Sequence, residues 1–400
     1  MATFTNWVGN QSCSPAQILA PASEADVQEA VRGAQQVRCV AAGHSFTPIH
    51  LTDGVLLRMD GLQGVLGVDG ATGRATALPG TTVGALGPPL WEAGLALSNQ
   101  GDIDTQGIAG AIGTCTHGSG LDLQSFSASL RRARLVTASG DVIEIGEDDP
   151  RLPAVQTAVG MLGVMTEVEI QAVPAHRLAE RIEHWHSTEA FGRLDALARA
   201  HRHYSFFYSP TEESAGLYGL ETPAGAEVAD TCYVKIYDLA DDDEPDSAEP
   251  GRRVARSYEI YPADFEPNFH ELEYFVPFTM AAEALGAMRE LMLSRLPLSI
   301  FPMEVRTVAR EDAWLSHSYG RDSLVISVSG QPGTDYEPYL REVHALLGQF
   351  DARVHWGKIH FLTRDELLAR YPRAAEFIAL RRELDPDGVF LNDHLRPLFA

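Results

Sequence analysis

"VRCVAAGHSFTPIH", residues 37–50, runs from four strand-like residues straight into Ala-Ala-Gly-His-Ser-Phe. A plain turn after a buried strand favours pairs such as Asn-Gly or Pro-Asp. Here the strand ends on Gly43 and His44 instead. Glycine lets a backbone come close to a bulky anion, and imidazole is the side chain best placed to act as base or nucleophile near neutral pH. On this stretch alone, a buried histidine satisfied by hydrogen bonds is the simpler reading. What surrounds His44 decides between the two.

Working outward, Ser23 and Asp26 mark the N-cap of a helix carrying Val27, Ala30 and Val31, and "VLLRM" supplies a second strand. Hairpins follow at "VLGVDGATGRATALPG", turning at Gly70–Gly73, and at "RLVTASGDVIEI", turning around Ala138–Asp141. Between them "TTVGALGPPLWEAGLAL" is helix-like, with Pro88–Pro89 expected to mark an early turn or a break. A helix is expected through "LPAVQTAVGML", leading into the strand "VMTEVEIQAV". The texture changes near Val173–Pro174, where long β-like runs rich in aromatic residues and histidine begin. "ADDDEPDSAEPGRR" (240–253) reads as an exposed loop. "LRRELDPDGVFLNDHL" reads as a helix stopping at Asp385–Pro386, then a short strand and turn. Strands mixed with scattered helices give an α+β class.

The bulk numbers bound the rest. Four hundred residues are too many for one ordinary core and imply two or three folding units. A net charge of −24, from 55 acidic and 31 basic residues, leaves no basic face for nucleic acid. The N-terminus lacks a signal-peptide pattern and no apolar run reaches membrane-spanning length. The expectation is a cytoplasmic protein without a membrane partner. Cys13, Cys39, Cys115 and Cys232 show no CxxC spacing and read as free thiols.

A second segment stands out: "NQGDIDTQGIAGAIGTCTHGSG", residues 99–120, with six glycines. Such a loop can offer backbone N–H groups and hydroxyls to a pyrophosphate. Its Gly107-x-x-Gly110-x-x-Gly113 spacing is not the Rossmann fingerprint, and alone it reads equally as a cluster of turns. Farther on, Glu304 and Arg306 lie two apart on an apparent strand, so both point to one face. A buried carboxylate beside a buried guanidinium must be paired or working. Lys358 follows "HWG", where Gly357 gives the backbone room. His184-x-His186 and His201-x-His203 read as strand-surface histidines, since no third metal ligand is evident; no metal is expected.

Together, "AAGHSF" and "GAIGTCTHGSG" resemble the two flavin loops of the vanillyl-alcohol oxidase superfamily, and "GMLGVMTEVEI" (160–170) its adenine-end segment. "FPMEVRTVAREDAWLSHSYGRDS" (301–323), "VHWGKIHFL" (354–362) and "LDPDGVFLND" narrow the resemblance to the aldonolactone and alditol oxidases. The resemblance runs from about residue 5 to 395.

It implies a two-subdomain FAD-binding domain of the PCMH type at 1–175, a substrate-binding cap domain at 176–360, and a C-terminal segment, 361–400, returning to the FAD domain. It implies FAD held by Ala41, Ala42, Gly43, His44, Ser45 and Phe46, and by Gly101, Asp102, Gly107 and Gly110. Thr114, Cys115, Thr116, His117 and Met165 complete that set. His44 is expected to be joined covalently to the flavin 8α carbon, with Gly43 required because a Cβ would hold the loop off the cofactor. Glu304, Arg306 and Lys358 are the expected catalytic residues for oxidising a carbinol of a sugar lactone, alditol or related polyol by hydride transfer to flavin N5. Gly101, where the family carries Ala or Gly, implies an open path for O2 and hence an oxidase making hydrogen peroxide. The alternatives are a dehydrogenase with another acceptor, or action on a non-sugar alcohol or lactone. Two departures bear on substrate. Alditol oxidases have Ser where this chain has Asp102, and Ser327 and Ser329 stand where the family carries a site histidine. Both serines are expected at the substrate, leaving room for something bulkier than a plain sugar lactone.

Overall fold

The computed structural model describes residues 2–222, 225–262 and 268–400. Near the N-terminus, Gln17–Leu19, Val55–Arg58 and Val37–Val40 form a small parallel sheet. The Glu24–Val31 helix packs beside it, its Ser23 hydroxyl accepting from Asp26 N–H as the N-cap. An antiparallel five-stranded sheet follows, in the order Val142–Ile145, Leu130–Val136, Val164–Gln171, Arg74–Ala77, Val65–Asp69. Both expected hairpins lie in it.

From Arg177 onward the chain builds an eight-stranded antiparallel sheet. Its order is Val254–Arg256, Arg177–His186, Thr231–Leu239, His203–Ser209, Met303–Val308, Ser323–Gly330, His270–Pro277, Arg353–Val354. Side chains alternate between faces along each strand. One face presents Phe206, Val234, Ile236, Val305, Ile326 and Tyr274 to a core shared with the helices Ser187–Ala200, Ala281–Ser294 and Glu337–Gly348. The residues between them face the other way and are polar where a core would demand apolar: Lys235, Glu304, Arg306, Ser327, Glu271 and Glu273. That polar face is the floor of the candidate site.

Residues 389–392 return to the N-terminal sheet. Val37 N–H donates to Val389 O at 2.8 Å. The buried Arg38 guanidinium donates to Ile49 O (2.6 Å), Phe390 O (2.6 Å) and Val159 O (2.8 Å), so one side chain ties three segments together. Asp385 accepts from the N–H groups of Val389 (2.7 Å) and Phe390 (2.9 Å).

Three local expectations differ from the structure. The Val83–Glu92 helix runs through Pro88 and Pro89. Burial of Val83, Leu86, Gly87 and Leu90 holds it on the core despite two missing N–H donors. The helix beginning at Leu152 ends at Val155, because Val159 (φ 50°) and Gly160 (φ 68°) take left-handed backbone that no helix continues. After Asp385 the chain makes turns where a strand was expected; the single bond to Val37 is too little to build a ladder. No helix among the described residues is long and apolar enough to cross a membrane.

Candidate active site

The opening stretch ends its strand at Val40 and turns at Gly43 with φ +70°. Left-handed backbone is what glycine serves here. A Cβ would meet Phe4 and Val40 at 3.4 and 3.5 Å, ordinary contact distances, so within the protein it is the backbone conformation that calls for glycine. At Gly107 a Cβ would fall 2.6 Å from Ala41 Cβ, so the two glycine-bearing loops come together only because Gly107 has none.

Between these loops lies a cavity of about 180 Å³. Ala41, Ala42, Gly43, His44, Ser45 and Phe46 form one stretch of its lining. Gly107, Gly110, Thr114 and Thr116 form another, and Met165 a third. His44 stacks on Trp7, ring centroids 4.9 Å apart. Its Nε2 lies 3.3 Å from Thr105 Oγ1, while its Nδ1 is buried without a hydrogen-bond partner among the described residues. Burial, then the nearby Lys358 charge, lowers its pKa to about 4, so the imidazole is neutral near pH 7. An open, apolar slot bounded by glycines, with an orphaned neutral nitrogen in its wall, fits the FAD that the resemblance implies.

A second cavity, of about 490 Å³, opens over the polar face of the large sheet. Ile103, Gln106, Thr116, His355 and Lys358 line both cavities, so the two meet there. Glu304 and Arg306 share a strand face. The guanidinium is held between two carboxylates, Glu304 Oε1 at 2.6 Å and Asp102 Oδ2 at 2.7 Å. Lys235 Nζ lies 3.5 Å from Asp102. Lys358 pairs with Glu271, which also accepts from Ser327 Oγ, and its ammonium sits 4.9 Å from the Phe46 ring centroid.

The charges are unequally shared. Burial works against both carboxylates, but Arg306 and Lys235 outweigh it at Asp102 and hold its pKa low. At Glu304 burial wins, with Asp102 adding repulsion, and the pKa rises to about 7. Two carboxylates compete for one guanidinium, and Glu304 is the one that yields. For Lys358, the Glu271 and Glu273 charges overcome burial and raise the pKa.

The structure gathers Glu304, Arg306 and Lys358 around one cavity and most of the expected flavin-loop residues around the other. Four of the residues expected at FAD are not in the lining of the first cavity. Gly101, Asp102 and His117 line the second cavity rather than the first. Cys115 lines neither; its φ of +64° turns the thiol into a buried pocket against Glu311 (3.1 Å) and Ser125 (3.2 Å). Neither Ser327 nor Ser329 is in the cavity lining. Ser327 reaches it through Glu271, and Ser329 is buried on the same strand. His203, expected on the surface, is buried and hydrogen-bonded to Ser119 O at 2.7 Å.

Sequence reasoning missed Glu271, Glu273, Lys235 and His355. Glu-x-Glu within "HELEYFVP" carried the same signal as Glu-x-Arg: charges two apart on a strand share a face. Among the described residues His117, Glu273 and His355 form one group with metal-ligand chemistry, ligand atoms within 4.8 Å. Gly357 N–H donates to His355 Nδ1 at 3.0 Å. The ring's hydrogen is then on Nε2, with no lone pair left there for a metal. His117 faces acceptors on both sides, Gly118 O at 2.8 Å and the Glu273 carboxylate at 3.0 Å. The group is therefore a hydrogen-bonded array in the wall of the second cavity.

Residues 15–146 match the family model described as FAD binding domain, and residues 245–398 the one described as D-arabinono-1,4-lactone oxidase. The chain is 36% identical to L-gulono-1,4-lactone dehydrogenase of Mycobacterium tuberculosis, covering 98% of both chains. It is 31% identical to alditol oxidase of a Streptomyces species, again over 98% of both. Among solved structures, cholesterol oxidase from B. sterolicum matches with a TM-score of 0.85 at 15% identity, over 100% of this chain and 96% of that one. At that identity it speaks to the fold alone.

Proposed function

Because the chain belongs to the aldonolactone and alditol oxidase branch of the vanillyl-alcohol oxidase superfamily, a branch of FAD-dependent oxidoreductases acting on CH–OH groups, we propose that it oxidises a carbinol of a polyhydroxylated lactone or alditol with O2 as acceptor. The observation that carries this reading is the Asp102–Arg306–Glu304 cluster standing beside Lys358 where the two cavities meet. Bound FAD supplies the two-electron acceptor and, in an oxidase, returns the electrons to O2 as hydrogen peroxide. Arg306 and Lys358 stabilise the charge developing on the carbinol oxygen. Glu304, with its pKa near neutrality, accepts the hydroxyl proton. A site lined with such groups discriminates against substrates lacking hydroxyls, which would leave those groups unpaired. The test is a panel of lactones, alditols and simple alcohols scored by anaerobic flavin bleaching. A marked preference for a hydroxyl-poor alcohol sinks the substrate half of this reading.

His44 is proposed as the covalent attachment point through Nδ1, its unpartnered nitrogen. Acid-precipitated protein then keeps all of its flavin, and His44→Ala releases it. Complete release from the wild type ends the covalent claim.

Gly101 bears on the acceptor. A Cβ there would stand 3.3 Å from His117 O and 3.6 Å from Thr116 Cγ2, so alanine fits with a shift of a few tenths of an ångström. Gly101→Ala is expected to slow reoxidation by air while leaving anaerobic reduction by substrate near wild type. The second reading is a dehydrogenase, favoured by the name of the mycobacterial relative. Reduced enzyme mixed with air distinguishes them: slow reoxidation of the wild type with fast dye reduction supports the dehydrogenase.

A further inference from the structure

The second cavity is much longer than the cluster at its flavin end. Glu304 stands on Met303–Val308, and the strands beside it are His203–Ser209, Thr231–Leu239 and Arg177–His186 in turn. Along one row, Glu304 opposes Phe207, which opposes Tyr233. Glu180 is three strands from Glu304, about 14 Å at roughly 4.8 Å per strand. Both Tyr233 and Glu180 line the same cavity as Glu304. A six-carbon unit, at C–C bonds of about 1.5 Å, spans only about 7 Å.

The far end has its own chemistry. Tyr233, Lys235 and Tyr237 alternate on one strand and face it together. Glu180, nearly fully buried, accepts from Arg253 at 2.6 and 2.8 Å and from Tyr237 Oη at 2.8 Å. The roof is the acidic segment that reads in sequence as a solvent loop. Pro250 and Arg253 line the cavity, and Gly251 O and Arg253 O accept from Ile182 and Glu180 N–H at 3.1 and 2.7 Å. Among the described residues at this end each cation is already paired, Arg253 with Glu180 and Lys235 with Asp102. An anionic group finds no free partner. Aromatic faces beside fixed donors and acceptors suit a neutral ring with an apolar C–H face and a hydroxyl rim.

We infer that this end is a second subsite, formed by Tyr233, Tyr237 and the Glu180–Arg253 pair, for a neutral sugar ring attached to the unit being oxidised. The substrate is then a glycosylated alditol or lactone of disaccharide size. This rests on the polyol reading above and deepens it.

The test uses holoenzyme and matched pairs: an alditol against a disaccharide alditol, and an aldonolactone against its glycosyl-lactone, scored by anaerobic flavin bleaching. Expected is a kcat/KM at least tenfold higher for the two-ring member, expressed in KM. Tyr233→Ala and Arg253→Ala should each lower that large-to-small ratio at least tenfold. Arg253→Ala strands Glu180 and can disturb folding; Tyr233→Ala leaves the ion pair intact and keeps the test decisive. One-ring substrates preferred, or a ratio unchanged in Tyr233→Ala, overturns the subsite while leaving the polyol function standing. Preference for a long-chain alcohol, or bleaching by neither member, overturns the polyol reading and the subsite with it.

Discussion

Arg306→Ala lowers kcat/KM for flavin reduction by about 2–4 kcal/mol, roughly 30- to 1,000-fold, the usual loss when an oxyanion donor is removed. The position makes the effect larger than a lost donor alone. Arg306 sits 2.6 Å from Glu304 and 2.7 Å from Asp102, so its removal leaves two buried carboxylates facing one another. Lys235, 3.5 Å from Asp102, compensates only one of them. Breaking a buried pair in this way costs about 3–5 kcal/mol of stability, so the variant should also melt earlier. Arg306→Lys restores the charge but not the fork that reaches both partners, and its rate should fall between the two. Lys358→Ala is expected to lose a similar 2–4 kcal/mol in the chemical step. Its fold should suffer less, because Glu271 keeps the Ser327 hydrogen bond. Single-turnover anaerobic reduction and thermal unfolding measure the two effects separately. If both alanine variants reduce at near wild-type rates, the reacting carbon lies elsewhere in the cavity.

What the sequence reveals of this site depends on whether its signal is local. Glu304 and Arg306 are legible because period two along one strand puts both on one face. The two glycine-bearing loops are legible for the same reason, each being a single short stretch. Glu271, Glu273 and Lys235 are not, although their strands carry the same alternation. Nothing in "HELEYFVP" or "TCYVKIYDL" says which strands will be neighbours. The order across the sheet is far from chain order: Thr231–Leu239 precedes His203–Ser209, and Ser323–Gly330 lies beside His270–Pro277. Cys115 and His117 show a different limit. They lie inside the expected loop, but a positive φ at Cys115 and the hydrogen bond between His117 and Glu273 keep both side chains out of the lining of the first cavity. Arg38 stands among the four strand-like residues of the opening stretch. Only the structure supplies the four carbonyls that satisfy it.

Glu304 should give the reaction its pH dependence. Its carboxyl is buried, and the one guanidinium beside it is shared with Asp102, so its pKa stands at about 7 while that of Asp102 is held low. If Glu304 accepts the hydroxyl proton, only its ionised form is competent. The anaerobic reduction rate must then be small well below pH 7, rise through about pH 7, and level off above it. Glu304→Gln cannot accept the proton, so it should lose the inflection and about 10²–10⁴-fold in rate, the usual worth of a positioned base. Asp102→Asn makes the decisive comparison. It removes the repelling charge and leaves Arg306 to Glu304 alone, and both changes favour the ionised form. The inflection should therefore move to lower pH with the base still present. A loss of activity in Asp102→Asn with the inflection unmoved would place Asp102 in substrate binding instead. An inflection that persists in Glu304→Gln would assign the proton to another group, and the His117–Glu273 pair in the cavity wall is the next to test.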